Sequence, residues 1–533
     1  MPGGKWLSLK FRASKPFRKP ALITKRRKRN NGIICEIKKD KDQYMTTLKN
    51  YINGSWAESR SSATLDVINP ATAMTIARVP AGSKKDIQDA VEAAGEAALL
   101  WRNIPATQRI QYLFKMKRIL EANTDLIAEI CTKECGKTFT ESKAEMTRAV
   151  ENIEVACGIP TLMQGIFSED IATGVDEFVI RQPLGVGACI SPFNFPIMIP
   201  FWFMPYAIAC GNTYIIKPSE KVPMTMTKIF ELFESVGLPK GVLNMVHGGK
   251  EAVDALLEHP LVPAISFVGS TPVAKHVYQT GTLNGKRVQA QGGAKNAVVV
   301  MPDADIDTTV KIITDSAFGC AGQRCLAASV VITVGEAAET IPFKLVAMAK
   351  TKKTGYGMAS DVDMGPVITK ESKERIKSLI QAGIEEGAEL LLDGREASVP
   401  GFEDGYFIGP TILGKVSTTS QVYTTEIFGP VLSIVQVGTL DEAIEIINKS
   451  RYGNSACIFT RSGAAARKFR HNAIAGNIGV NIGIAAPMAF FPFSGWKESF
   501  FGDLHGQSSH AVEFYTQTKV VIERWNDEWT RKF

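Results

Sequence analysis

No acidic residue occurs before Glu36, whereas eleven lysines and arginines have accumulated by Arg29. That block alone exceeds the chain's formal net charge of +7, so the remainder is acidic and offers no basic surface for nucleic acid. No apolar run approaches the ~18 residues needed to cross a bilayer. The greasiest segment, "FPIMIPFWFMPYAIAC" (195–210), is cut by Pro196, Pro200 and Pro205 and reads as protein interior, so no membrane partner is expected. An apolar secretory core is absent too, and the nine cysteines are odd in number and scattered. Reduced thiols in an intracellular compartment follow, and a disulfide framework is excluded. There are only six histidines. None stands near Cys131 and Cys135, or near Cys320 and Cys325, to complete a zinc set, so no metal is expected.

The basic leader, residues 1–44, has three readings: an organelle presequence, a basic address or RNA-binding patch at "KRRKR" (25–29), or an unstructured extension before a start at Met45. The expected location is the cytoplasm, or the mitochondrial matrix if the leader is a cleaved presequence. In each case fold reasoning begins near residue 45.

From there helical and strand signals alternate. Helices are expected over 84–103, over 108–137 as one piece, and over 225–237 and 250–259. Short β-rich runs occur at 185–191, 213–219, 241–248 and 264–270, then again at 296–301, 329–334 and 429–437. Strands spaced by helices predict an α/β fold with two doubly wound parallel sheets, the break falling near 295. The dinucleotide fingerprint G-x-G-x-x-G is missing, since "GVGACI" ends on Ile190. "FVGSTPVAK" (267–275) reads as strand, tight turn, hydroxyl cap at Ser270 and Pro272 at the first helical position, a start that can face an anion. "FGCAGQRC" (318–325) holds two thiols. With metal and disulfide excluded, spacing alone leaves packing and nucleophilic catalysis both open.

"FGCAGQRCLAASVVITV" resembles the nucleophile segment of the NAD(P)-dependent aldehyde dehydrogenases, with Cys325 at the attacking position. The resemblance runs collinearly over roughly residues 50–525. It takes in "SPFNFPIMIPFWFMPYAIACGNTYIIKPSEKVP" (191–223), "GGAKNAVVVMPDADID" (292–307), "TEIFGPVLSI" (425–434) and "FPFSGWKESFFGD" (491–503). It implies that Asn194 and the Cys325 backbone N–H hold an oxyanion, while Cys320 merely packs. It also implies cofactor contacts at Ser191, Phe193, Lys217, Glu220, Lys221, Ser270, Gly292, Glu426 and Phe428. A carboxylate at Glu220 accepts from ribose hydroxyls but repels a 2′-phosphate, which favours NAD over NADP. The implied architecture is an NAD-binding domain (45–162 and 183–294), a catalytic domain (295–508) and a β oligomerisation arm (163–182 and 509–526). A homodimer or homotetramer is expected from that arm.

One departure points further. Hydrolytic members carry a glutamate in E-L-G-G-K as the base that activates water, and Gln291 stands in its place here. An amide cannot accept that proton, and losing a positioned base slows water attack by ~10²–10⁴-fold. A thiol with a pKa near 8.5 needs less help. "GAKN", "FFGDL" and "EFYTQTK" resemble the branch that transfers its acyl group to coenzyme A, the methylmalonate-semialdehyde dehydrogenases. That branch uses two arginines for the substrate carboxylate, matching Arg148 and Arg324, and Arg suits the task because its planar fork pairs bidentately. The implied reaction is NAD-dependent oxidation of methylmalonate or malonate semialdehyde to propionyl- or acetyl-coenzyme A with loss of CO₂. The alternative is a hydrolytic aldehyde dehydrogenase releasing a free acid.

Overall fold

The computed structural model describes residues 46–525; the basic leader and its three readings lie outside the described residues. Two separate sheets carry the fold, and the chain passes from one to the other between the strands Arg287–Gln291 and Ala297–Val300.

In the first sheet five parallel strands run in the order Leu243–Met245, Thr213–Lys217, Val186–Ile190, Ala264–Val268, Arg287–Gln291. Antiparallel strands close both edges, Asn50–Ile52 and Ser55–Ala57 on one side and Phe500–Phe501 on the other. The parallel strands are rich in valine and isoleucine and buried nearly throughout, as a sheet covered on both faces requires. Chain order reverses between Val186–Ile190 and Ala264–Val268, and the crevice beyond the carboxyl ends of such neighbouring strands is where ligands bind in this architecture. Ser191, Lys217 and the Gly269–Ser270 turn stand at those ends.

The second sheet places Thr411–Gly414, Val431–Val437, Val330–Val334, Ala297–Val300, Ser455–Phe459 and Asn477–Val480 in parallel, with Glu389–Leu392 antiparallel at one edge. The apolar segment 195–210 forms two short helices, Met198–Phe201 and Met204–Cys210, packed in the core. A third sheet stands apart: the hairpin Phe167–Ala172 and Val175–Pro183 pairs with the C-terminal strand Thr516–Arg524. The helix Ser508–Phe514 precedes that strand, so the segment expected as arm from residue 509 opens as a helix. At its foot, Tyr515 OH lies 2.7 Å from Tyr214 OH and 2.6 Å from Ser266 Oγ, tying this sheet to the first.

Two local expectations need correcting. The stretch 108–137 is not one helix but two, Ala106–Ala122 and Thr124–Cys135, because Asn123 leaves helical geometry (φ −119°, ψ 18°). Pro272 occupies the second helical position, since the helix Thr271–Leu283 begins one residue earlier. Among the described residues no helix is long and apolar enough to cross a membrane.

Candidate active site

The helix Ile306–Phe318 ends in a tight turn where Cys320, Ala321 and Gly322 take φ of 50°, 52° and 70° in succession. Left-handed geometry is unfavourable for residues with a Cβ. At Gly322 a Cβ would also come within 2.1 Å of Gly429 O, so glycine lets the turn close on the "EIFGP" segment. Cys325 follows, partly buried, and packs against the core that also borders Phe193 and Phe195. Its carbonyl accepts two side-chain amides, from Asn296 Nδ2 at 2.8 Å and Asn454 Nδ2 at 2.7 Å. Burial pushes its thiol up to about 12, with the Glu426 carboxylate adding to the shift and two backbone N–H groups and Arg324 opposing it.

Asn194 comes from the loop after Val186–Ile190. One of its amide hydrogens donates to Gln323 O at 2.9 Å, two residues before Cys325, and a second donor hydrogen remains. Its own carbonyl accepts from Lys137 Nζ at 2.9 Å, and Lys137 is ion-paired with the fully buried Glu145. Gln291 ends its strand with Nε2 donating to Phe493 O at 2.9 Å. Cys135 packs under the same loop, its thiol 3.5 Å from Phe193 O.

The cofactor candidates lie at the ends of the first sheet's strands, on the segments that follow them, and on the segment that precedes Val431–Val437. Ser191 N–H and Oγ both donate to Lys217 O, at 3.1 and 3.3 Å. Lys217 Nζ donates to Pro218 O at 2.6 Å and Gly248 O at 2.7 Å, with Glu220 3.9 Å away; burial lowers its pKa. Lys221 Nζ lies over the Phe193 ring at 5.3 Å, and Phe193 meets Phe428 edge-on at 5.8 Å. Phe428 itself is held at φ 54°. Glu426 Oε1 accepts Ala294 N–H at 2.8 Å, and a Cβ on Gly293 would come within 2.4 Å of Oε2. Burial raises that carboxyl to about 7 and lowers its neighbour Lys295 to about 7. Gly292 is pressed under Glu498 O, which a Cβ would approach to 2.7 Å. Ser270 is exposed and makes no side-chain cap bond, leaving the first N–H groups of Thr271–Leu283 available to a diphosphate. Free N–H groups at the start of Thr271–Leu283, the Phe193–Phe428 pair and the close-packed Gly292 and Gly293 fit an adenine dinucleotide.

The two arginines behave differently. Arg324 is largely buried and occupied: Nη2 pairs with Glu141 Oε1 at 2.9 Å and Nε donates to Cys320 Sγ at 3.2 Å. Arg148, on the helix Phe139–Ala156, is 39% exposed, pairs with Glu151 at 2.9 Å and has Nη1 2.7 Å from Met488 Sδ. None of these contacts joins it to Cys325. Sequence reasoning missed Glu141, Glu145, Lys137, Asn296 and Asn454. The one signal was Thr138-x-x-Glu141, which reads as an ordinary helix start.

A thiol on a turn whose Gln323 carbonyl accepts the Asn194 amide suits addition to an aldehyde carbon. Residues 56–521 match the model of the aldehyde dehydrogenase family, and the chain belongs to that family. It is 52% identical over 480 residues to malonate-semialdehyde dehydrogenase 2 of Geobacillus kaustophilus, covering 90% of this chain and 99% of that one. A similar relative is malonate-semialdehyde dehydrogenase of Bacillus pumilus, 51% identical over 478 residues, covering 90% of this chain and 98% of that one. Among solved structures, methylmalonate-semialdehyde dehydrogenase from Oceanimonas doudoroffii superposes with a TM-score of 0.89 at 43% identity, covering 91% and 99% of the two chains. A protein assigned to the same activity in Sinorhizobium meliloti, crystallised with NAD, gives 0.90 at 43% identity with the same coverage.

Proposed function

We propose that this protein oxidises malonate and methylmalonate semialdehydes with NAD and passes the acyl group to coenzyme A. The observation that carries the reading is Gln291. It stands where a hydrolytic enzyme keeps its base, and its amide is committed to Phe493 O. The relatives named for semialdehydes support the substrate class.

The residues take these roles. The Cys325 thiol loses its proton to solvent, the thiolate sulfur bonds to the aldehyde carbon, and the oxygen becomes an alkoxide held by Asn194 Nδ2–H and the Cys325 N–H. NAD, when bound, supplies the hydride acceptor; Ser191, Phe193, Lys217, Glu220, Lys221, Ser270, Gly292, Glu426 and Phe428 hold it. An acyl thioester on Cys325 is left. Arg148 and Arg324 receive the substrate carboxylate, later lost as CO₂ or bicarbonate. Gln291 gives water no base, so the coenzyme A thiol, already partly ionised at neutral pH, completes the transfer.

The supporting architecture follows the same reading: an NAD-binding domain from 45–162 and 183–294, a catalytic domain over 295–508, and an oligomerisation arm from 163–182 and 509–526 that makes a homodimer or homotetramer. We place the enzyme in the cytoplasm; the eight cysteines among the described residues are all free, as a reducing compartment allows.

The test is a stopped-flow assay with and without coenzyme A. Without it, malonate semialdehyde and NAD give a burst of about one NADH per site and then turnover slower by ~10²–10⁴-fold. Fast steady turnover without the thiol would mean a hydrolytic enzyme.

A further inference from the structure

The helix Phe139–Ala156 carries a carboxylate whose contacts exceed what a helix start needs. Glu141 completes a capping box: Thr138 N–H donates to Oε2 at 2.9 Å, and Glu141 N–H donates to Thr138 Oγ1 at 3.2 Å. Oε1 reaches the nucleophile turn instead. It accepts Cys320 N–H at 2.6 Å and Arg324 Nη2 at 2.9 Å. The guanidinium lies against Gly319, where a Cβ would come within 2.4 Å of Nη1. The Arg324 and Glu141 side chains are 19% and 14% exposed, so water screens the pair weakly. The N–H that Glu141 anchors belongs to the first of three left-handed residues, a conformation that must be imposed by its surroundings.

One turn along the same helix face, Glu145 does the equivalent for the other half of the site. Its Oε1 accepts Ile197 N–H at 2.7 Å and Met198 N–H at 2.8 Å, just after Asn194. Its ion-pair partner Lys137 holds the Asn194 carbonyl. Residues four apart share a helix face, so one rigid helix holds both the thiol segment and the oxyanion donor.

We propose that Glu141 is a positioning residue: it fixes the turn that aims Cys325 and sets the resting orientation of Arg324. The Arg324 half rests on the semialdehyde reading above; the Cys325 half rests only on thiol chemistry.

Three variants of the full chain decide it. Thr138→Ala removes a cap bond and leaves Oε1 in place, so it lowers Tm while the NADH burst with propanal is unchanged. Glu141→Ala leaves Cys320 N–H without its acceptor. The propanal burst and the iodoacetamide alkylation of Cys325 both slow by about tenfold to a hundredfold, the loss of a charge-assisted hydrogen bond. Glu141→Gln keeps an oxygen for Cys320 N–H but not the charge. Its propanal burst stays within about threefold of wild type while the KM for malonate semialdehyde rises at least about tenfold. If all three lower Tm yet leave burst and alkylation unchanged, Glu141 is only a helix cap and the proposal is overturned. A Gln variant that affects both aldehydes equally overturns the Arg324 half. Should Glu141→Ala not fold, the Gln variant's split between the two aldehydes still decides. A wild-type enzyme that does not prefer malonate semialdehyde to propanal sinks the substrate reading alone, and the propanal and alkylation measurements still judge Glu141.

Discussion

Cys325 is fixed through its carbonyl, by the amides of Asn296 and Asn454, so the main chain is held without any side chain bonding to the sulfur. Its pKa is raised above the ordinary thiol value, so the neutral thiol dominates at physiological pH. In the cofactor-free enzyme the rate of Cys325 alkylation by iodoacetamide should therefore climb about tenfold per pH unit beyond pH 9; a plateau near 8.5 would contradict the burial argument. Cys325→Ser should abolish the NADH burst, whereas Cys320→Ala should keep most of it. Arg148 tests carboxylate recognition cleanly because it touches no part of the nucleophile turn. Its pairing with Glu151 can be exchanged for a substrate carboxylate, and a lost charge-assisted bond is worth ~1.5–3 kcal/mol. Arg148→Ala should cost malonate semialdehyde at least about tenfold more in kcat/KM than it costs propanal; equal losses would make Arg148 a surface ion pair.

At the scale of the element, the turn Cys320–Gly322 and the anchor at Tyr515 make different demands. Gly322→Ala would set a Cβ against Gly429 O and add a third left-handed residue with a side chain. We expect the NADH burst to fall far more than thermal stability, since the turn can relax only by moving the nucleophile. Tyr515→Phe removes the oxygen that joins Tyr214 to Ser266, taking a partner from the buried Tyr214 hydroxyl while Ser266 keeps the Gln289 amide. Urea unfolding should show a loss of ~1–3 kcal/mol with little change in turnover. The same contrast explains what could be read from sequence. Strands such as Val330–Val334 announce themselves by runs of β-branched residues. The break at Asn123 does not, because no Gly or Pro marks it and the apolar spacing continues through it. Glu141 escaped for a related reason: its capping role is local and legible, while its bond to Cys320 joins residues far apart in the chain.

For the whole molecule, the two-sheet organisation was legible because the parallel strands of each sheet come from consecutive segments; only the edge strand Phe500–Phe501 returns from the far end of the chain to the first sheet. Ser191, Lys217 and Ser270 could be placed because they stand at or just after strand ends, where chain order and space agree. The arm sheet was named only through resemblance, since nothing in its alternating pattern says what covers it. Its surface carries Phe167, Ile171, Val520 and Ile522, each more than half exposed. Patches of this kind mark association surfaces. Replacing Val520 and Ile522 together by aspartate should shift sedimentation toward the monomer; an unchanged sedimentation coefficient would place the assembly surface elsewhere.

The bond from Gln291 to Phe493 O has a bearing on ancestry as well as on rate. A glutamate there meets a carbonyl oxygen, which welcomes a protonated carboxyl and repels a carboxylate. Gln291→Glu should therefore keep its proton at neutral pH and gain hydrolytic turnover only as the pH rises well above 7, measured as NADH release without coenzyme A. Descent from a water-using to a thiol-using enzyme, or back, then involves the setting of the Phe493 carbonyl as well as the one codon. Lineages of the two kinds would be expected to part once and stay apart, rather than interconvert freely.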